Sequence, residues 1–193
     1  MQIAEVKLTG LSPYSPSRFL QSPRQDKEGH DVYEKRVWRE RIHATTDGEV
    51  FIPPMAFKGA LETAARFNPI SIPGRGKATY TKHFRAGVLV VEPVLLGVQS
   101  DDVEGEWLLL NSDGRKGGGT RVMRCMPKVD DWSASVRFYI LDPTITQEVF
   151  ERTLREAGQF IGVGRWRPEN GGIYGRFRVE EVVWSEDEML EAA

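Results

Sequence analysis

Gly162-Val-Gly-Arg-Trp-Arg-Pro-Glu-Asn-Gly-Gly-Ile-Tyr-Gly-Arg-Phe-Arg178 combines five glycines, four arginines and three large aromatic residues with a single acid, Glu169. Glycine lets the backbone approach other groups closely, arginine presents a planar set of donors to phosphate, and aromatic rings stack on bases. A helix C-cap followed by a surface turn would explain the glycines alone. The arginines favour an anion-binding loop, whose candidate contacts are Arg165, Trp166, Arg167, Tyr174 and Arg176.

The net charge of −2 conceals a separation of charge along the chain. Six of the 28 acids follow Arg178, where no lysine or arginine occurs, which leaves 26 basic against 22 acidic residues before them. Basic residues collect in segments 66–91 and 112–128, and such local charge is typical of surfaces that bind polyanions. Solvated loops carry the same residues for solubility, so one segment alone would indicate little. The candidate contacts are Arg75, Lys77, Lys82, Arg85, Arg115, Lys116, Arg121 and Arg124.

Several classes of site are not expected from the composition. Cys125 is the only cysteine, which excludes an internal disulfide and a cysteine-cluster metal site. The three histidines form no helical pair, so we expect neither a metal nor a cofactor. No apolar run is long enough to span a bilayer, and the N-terminus has no secretory pattern. We therefore expect a cytoplasmic protein without a membrane partner.

The hydrophobic pattern predicts a β-α-β-β-α-β order. Alternating apolar and polar residues predict strands at 3–10, 133–141 and 174–184, the last with a bulge near Glu180 and Glu181. The apolar run at 87–97 predicts a central strand, and helical spacing predicts helices at 54–67 and 145–161. This order is that of the α+β ferredoxin-like fold, which includes RRM-like domains. We expect one domain over residues 1–193, ending in an acidic tail at 185–193.

Two insertions are expected to interrupt this core. The first, at 11–52, begins as a proline-containing loop and ends in a predicted hairpin that turns at Asp47-Gly48. The second, at 98–131, is predicted to be a hairpin with arms at 107–110 and 120–126 and a glycine-rich tip. A mobile basic tip and a plain solvated hairpin both fit this pattern. On the sheet face away from the helices, Arg137 and Tyr139 are further candidates for RNA contacts.

Two motifs resemble the RAMP superfamily of CRISPR-associated proteins. Ile52-Pro-Pro-Met-Ala-Phe-Lys-Gly-Ala-Leu61 resembles the segment I-P-G-S-S-L-[KR]-G-x-[LI] that enters the first helix of that family, with Pro-Met-Ala in place of Gly-Ser-Ser. Residues 162–177 resemble its glycine-rich loop between the second helix and the last strand. Both motifs occur where the topology of the family would put them.

The resemblance implies a non-catalytic subunit that binds single-stranded guide RNA within a ribonucleoprotein for antiviral defence. The insertion at 98–131 resembles the thumb hairpin of the backbone subunits that polymerise along a guide. By the same resemblance, Lys58 and Arg18 would contact phosphates. The implied partners are single-stranded RNA, a single-stranded DNA target, and other subunits or further copies of the chain. An end-capping relative or a phage or plasmid homologue also fits its length.

Two other functions stay open. Some RAMP proteins process guide RNA without a metal, using a histidine as general acid or base, and His43 or His30 would serve here. Another branch cuts target RNA with an aspartate from the first insertion, where Asp26 or Asp31 stands. A protein-interaction module, such as a phage-borne mimic of a defence subunit, is the third class. No P-loop and no nucleophile elbow occurs in the sequence.

Overall fold

The computed structural model describes residues 1–112 and 120–186. Over these residues the chain mixes four α-helices with eight strands arranged in antiparallel sheets, which confirms the predicted mixture of the two element types. The helices are α1 (His30–Val37), α2 (Pro54–Phe67), α3 (Thr81–Gly87) and α4 (Gln147–Glu156). The strands are β1 (Gln2–Gly10), β2 (Glu49–Ile52), β3 (Val88–Leu89), β4 (Val94–Gln99), β5 (Glu104–Asn111), β6 (Arg121–Lys128), β7 (Ser133–Ile140) and β8 (Phe177–Glu186).

The largest sheet has the order β3-β7-β1-β8, and each neighbouring pair is antiparallel. Val6 of β1 lies opposite Val136 on one side and Val182 on the other. The β1–β8 register shifts after Lys7, which pairs with Glu181, while the next residue pairs with Val179. One extra residue, Glu180, therefore stands in β8, and the predicted bulge is confirmed.

Helices α2 and α4 bury one face of this sheet under an aromatic core. Phe57 of α2 meets Phe177 edge to face, with 5.7 Å between ring centroids, and Phe138 of β7 meets Phe150 of α4 at 5.1 Å. All four rings are at most 2% exposed. Such rings each contribute a large area to the core, and their edge-to-face contacts add further stabilisation. The sheet and the two helices therefore share one core.

The predicted apolar stripe of α4 is confirmed. Phe150, Leu154, Ala157 and Ile161 are all buried, although the last two lie in a π-helical turn, Ala157–Ile161, that extends the helix. Thr146 is the N-cap of this helix, and its hydroxyl accepts the backbone N–H of residue 149 at 3.4 Å.

Strands β5 and β6 form the predicted hairpin in the second insertion. Helix α1 and the 3-10 turn Trp38–Arg41 pack against β6, so the hairpin joins the first insertion rather than projecting alone. The predicted glycine-rich tip lies at 113–119, outside the described residues, as does residue 187 onwards of the predicted acidic tail. The candidate contacts Arg115 and Lys116 belong to that tip and lie outside the described residues as well.

Two predictions of secondary structure are wrong in part. Residues 30–37 form a helix instead of a hairpin arm, and strand β2 pairs with β4. The predicted turn at Asp47-Gly48 is present, with an antiparallel bridge between Ala44 and Val50. The predicted central strand at 87–97 is divided, because β3 ends at Leu89 and Glu92-Pro93 separates it from β4. Strand β3 lies at an edge of the main sheet and β4 belongs to another sheet. A proline cannot donate to a ladder, which explains the division.

Candidate nucleic-acid interface

The glycine-rich loop at 162–178 is held by backbone hydrogen bonds to the segment that follows β1. The Arg165 N–H donates to the Ser15 carbonyl at 2.8 Å, and the Gly175 N–H donates to the Pro13 carbonyl at 2.8 Å. Across the loop itself, the Val163 N–H donates to the Gly175 carbonyl at 2.9 Å. The start of the first insertion and the glycine-rich loop therefore form one unit.

The glycines of this loop make room for its own backbone. A Cβ on Gly172 would lie 1.9 Å from the Trp166 carbonyl oxygen, and one on Gly175 would lie 1.8 Å from the Val163 carbonyl oxygen. Gly175 also has a φ of +68°, which other residues rarely adopt. The predicted reason for these glycines was close approach to an anion, whereas the contacts in the structure are intramolecular.

The loop packs against the hairpin through its aromatic residues. The Tyr174 hydroxyl donates to a Glu106 carboxylate oxygen on β5 at 2.7 Å, and Trp166 meets the Tyr174 ring at 5.8 Å. Burial and then the bond to Glu106 raise the pKa of Tyr174 to about 12, so the phenol keeps its proton at neutral pH. The loop and the second insertion are therefore joined, as a common surface requires.

A buried carboxylate lies at this junction. Glu34 of α1 is fully buried and accepts the Cys125 N–H of β6 at 2.9 Å. The guanidinium of Arg41, which is 3% exposed, lies 2.9 Å from the same carboxylate and donates to the Cys125 carbonyl at 3.3 Å. Arg124 of β6 lies 4.0 Å from Glu34 and donates to the Ser112 carbonyl. The sequence analysis identified Arg124 and missed Glu34 and Arg41.

Arg165 adds a third guanidinium to this cluster. Burial, and then the positive charges of Arg41 and Arg124, lower the pKa of Arg165, while Glu34 acts in the opposite direction. Its Nε is buried without a hydrogen-bond partner among the described residues. Its side chain lies beside Trp166, at 5.8 Å from the ring centroid. Two arginines therefore lie within 4.0 Å of one carboxylate, and the charge of that carboxylate also acts on Arg165; we call this group the arginine junction (Glu34, Arg41, Arg124 and Arg165).

The two motifs that resemble the RAMP superfamily face each other across a groove of about 340 Å³. Ala56 and Gly59 of α2 line one side, and Gly162, Gly164 and Arg167 of the loop line the other. Arg167 is paired with Glu169, with 2.7 Å between the guanidinium and the carboxylate. This groove is therefore close to neutral at its loop side.

Two further candidates lie away from the groove between the motifs: Lys58 near the start of α2, and the basic segment at 75–85, which leads into α3. The Lys58 ammonium donates to the carbonyls of Arg85 at 2.9 Å and Val88 at 2.7 Å, so it caps the end of α3. Arg85 is exposed and lies 3.6 Å from Glu62. The other basic residues of the segment are exposed as well, namely Arg75, Lys77 and Lys82. The described contacts of Lys58 and Arg85 are therefore with α2, α3 and the start of β3, and not with the arginine junction.

The open face of the main sheet carries both acidic and basic side chains. Arg137 lies 2.6 Å from Glu5, and the Tyr139 hydroxyl bonds to Glu92. Lys7 lies 2.7 Å from Glu181. The charged residues of this set line a groove of about 410 Å³, in which Arg137 and Lys7 each have an acidic neighbour. This arrangement favours the arginine junction over the sheet face as a site for phosphate.

The remaining candidates lie around the first insertion. The Arg18 N–H donates to the Arg41 carbonyl at 3.0 Å, and the Arg18 side chain is exposed. Burial, and then the positive charge of Arg18, lower the pKa of the His43 imidazole. His30 begins α1, and its Nδ1 is buried without a described partner. Asp26 and Asp31 are exposed. Exposed Arg121 and half-buried Arg176 lie at the start of β6 and just before β8.

Within residues 1–112 and 120–186, no three His, Cys, Asp or Glu side chains lie together as metal ligands would. Over the same residues, no helix has the length and the apolar character that a membrane span needs.

Comparison with known proteins gives structural relatives only. No family model matches the chain, and no curated protein is similar to it in sequence. Solved structures do resemble it, and those described here are subunits of type III-B CRISPR complexes. Their sequence identity is so low that the likeness concerns the fold.

One relative belongs to the cryo-EM structure of the type III-B Cmr-beta complex bound to cognate target RNA, with a TM-score of 0.60 and 10% identity. The match covers 95% of this chain and 60% of that chain, so this protein spans about three fifths of its length. The other is Cmr6 from Pyrococcus furiosus, with a TM-score of 0.51 and 14% identity over 93% of this chain and 99% of that chain. The fold of this protein is therefore that of subunits from CRISPR ribonucleoproteins.

Proposed function

We propose that this protein is a non-catalytic, RNA-binding subunit of a CRISPR-type ribonucleoprotein of the RAMP superfamily. The observation that carries the proposal is the arginine junction, where the glycine-rich loop, α1 and the hairpin bring together three arginines and one carboxylate. Phosphate contacts from arginine supply affinity without reading sequence. The likeness to a subunit of a complex bound to target RNA supports the same class of partner.

The topology supports membership of the superfamily. When α1, α3, the β2–β4 pair and the hairpin are treated as additions, the remaining order is β1-α2-β3-β7-α4-β8, which has the ferredoxin-like pattern. The hairpin stands between the second and third strands of that core, as a thumb insertion would. We propose one domain and a place in the cytoplasm beside the other subunits of the complex.

Binding of labelled RNA tests this proposal. We expect two single-stranded RNAs of about 30 nucleotides and unrelated sequence to bind with similar affinity, measured by fluorescence anisotropy. The affinity should fall as salt rises, with a log–log slope of about −0.7 for each phosphate contacted. A protein that binds neither RNA at low salt would refute the proposal and leave the protein-interaction module as the better interpretation.

The same samples separate a binder from a nuclease. In a metal-free buffer, gel electrophoresis of the RNA should show the full-length strand after prolonged incubation. Cleavage that His43→Ala or His30→Ala abolishes would favour the guide-processing alternative, and cleavage that Asp26→Ala or Asp31→Ala abolishes, in buffer with Mg²⁺, would favour target cutting.

A further inference from the structure

Charge at the arginine junction is unbalanced within the described chain. Arg41 and Arg124 both lie within 4.0 Å of Glu34, and Arg165 is close enough to respond to all three charges. Two guanidinium groups therefore share one carboxylate, and the third, on Arg165, has no ion-pair partner among the described residues. Charges that lie in a partly buried site without an equal number of opposite charges are costly, so such sites are usually completed by an ion or a ligand.

Two buried polar groups near the arginine junction also have no hydrogen-bond partner among the described residues. The Arg165 Nε is buried and has no partner among the described residues. Ser15, whose carbonyl accepts the Arg165 N–H, is fully buried, and its hydroxyl likewise has no described partner. Unsatisfied buried donors are rare, and a missing water or ion is the ordinary explanation.

The three arginines are not equivalent. Arg41 already has partners on both of its terminal nitrogens, because it is paired with Glu34 and donates to the Cys125 carbonyl. Arg124 is about one quarter exposed and lies at the far limit of an ion pair with Glu34. Arg165 has no carboxylate partner among the described residues, and the adjoining Trp166 ring fixes its position. A ligand would therefore be held by Arg124 and Arg165, while Glu34 and Arg41 position β6 against α1.

We propose that the arginine junction binds one phosphate group, with Arg165 and Arg124 as its contacts and Glu34 as a positioning residue. The proposal deepens the proposed function and rests on it for the identity of the ligand, which would be a phosphate of the bound RNA. A planar guanidinium fork matches the oxygens of phosphate, and two such forks on one group give a defined register to the strand. An internal phosphodiester and a terminal phosphate offer the same chemistry.

Small probes separate these two sources. We expect inorganic phosphate to raise the Tm of the wild-type protein relative to potassium chloride of equal ionic strength, because a ligand of the folded state stabilises it. Calorimetry with uridine 5′-monophosphate and with uridylyl-(3′,5′)-uridine then compares a terminal phosphate with a diester. Tighter binding of the monophosphate indicates the end of a strand, and equal or tighter binding of the diester indicates its backbone.

Two variants test the residues. Arg165→Gln should abolish the stabilisation by phosphate and weaken RNA binding at least tenfold, and it should reduce the salt slope by about 0.7. Arg152→Gln is the matched control, because Arg152 is an exposed arginine of α4 paired with Glu156, and it should behave as the wild type. Arg124→Gln, at a more exposed position, decides the result if Arg165→Gln does not fold.

The outcomes of the two proposals differ. If the wild type binds RNA and neither variant at the junction changes its affinity or salt slope, the phosphate site is refuted and the proposed function stands. If phosphate stabilises the wild type through Arg165 but no RNA binds, the site stands and the proposed function fails. Absence of any effect of phosphate on the wild type also refutes the site.

Discussion

Removal of the Glu34 carboxylate is the sharpest perturbation of this structure. Glu34→Ala would leave the guanidinium of Arg41, which is 3% exposed, without its carboxylate, and the Cys125 N–H without its acceptor. Breaking a buried ion pair on one side typically costs about 3–5 kcal/mol, and an unsatisfied buried donor costs about 1–3 kcal/mol. Since these costs overlap, we expect a loss of about 4 kcal/mol in the free energy of unfolding.

Urea unfolding followed by circular dichroism measures this loss. For a chain of this length, about 4 kcal/mol corresponds to a fall in Tm of roughly 8–16 °C. Glu181→Ala is the matched control, because Glu181 and its partner Lys7 are both more than half exposed, and such pairs contribute at most about 1 kcal/mol. If Glu34→Ala destabilises the protein no more than Glu181→Ala does, the junction does not hold α1 to the hairpin and the argument is refuted.

Three further predictions concern single contacts. Gly172→Ala should lower the free energy of unfolding, measured in urea, by about 2 kcal/mol or more, because its Cβ would meet the Trp166 carbonyl at 1.9 Å. Gly59→Ala, at a position in α2 with open space around it, should raise the free energy of unfolding by about 0.5–1 kcal/mol. Equal effects of the two substitutions would contradict both expectations. Hydrogen bonds from Arg36 hold the pKa of Glu28 at about 2. The stability that this pair contributes is therefore present above the ordinary carboxyl pKa and is lost as the pH falls towards 2. NMR titration of the carboxyl group should give the lowered pKa, and Arg36→Ala should raise it; an ordinary carboxyl pKa in the wild type would exclude the pair. Burial, and then the negative charge of Glu34, raise the pKa of the Cys125 thiol to about 11. A disulfide reagent at pH 8 should therefore modify this buried thiol only after the protein unfolds. Rapid labelling of Cys125 in the native protein would disprove its burial.

The hairpin and the main helices could be predicted because their signals are local. Strands β5 and β6 flank a glycine-rich segment, and the apolar stripe of α4 repeats with helical spacing. The helix α1 could not be predicted in the same way, since its buried face includes Glu34. A pattern that counts only apolar residues cannot recognise a charged group whose partner, Arg41, lies beyond the end of the helix.

Two of the three arginines of the candidate site could be predicted, but their assembly around Glu34 could not. Arg124 and Arg165 stand out by residue type, near glycines. The position of Glu34 between them depends on packing between segments about 90 and 130 residues apart, which local spacing does not encode. The glycines of the loop were assigned to anion approach, because the sequence does not reveal that Gly172 and Gly175 contact the backbone of their own loop.

Photochemical crosslinking of bound RNA tests the central claim most directly. Irradiation of the complex with single-stranded RNA, followed by mass spectrometry of the crosslinked peptides, identifies which surface touches the strand. We predict crosslinks to Trp166 and to the peptides that contain Arg124 and Arg165, at the junction of loop and hairpin. Crosslinks confined to Tyr139 and the open face of the main sheet would contradict this account.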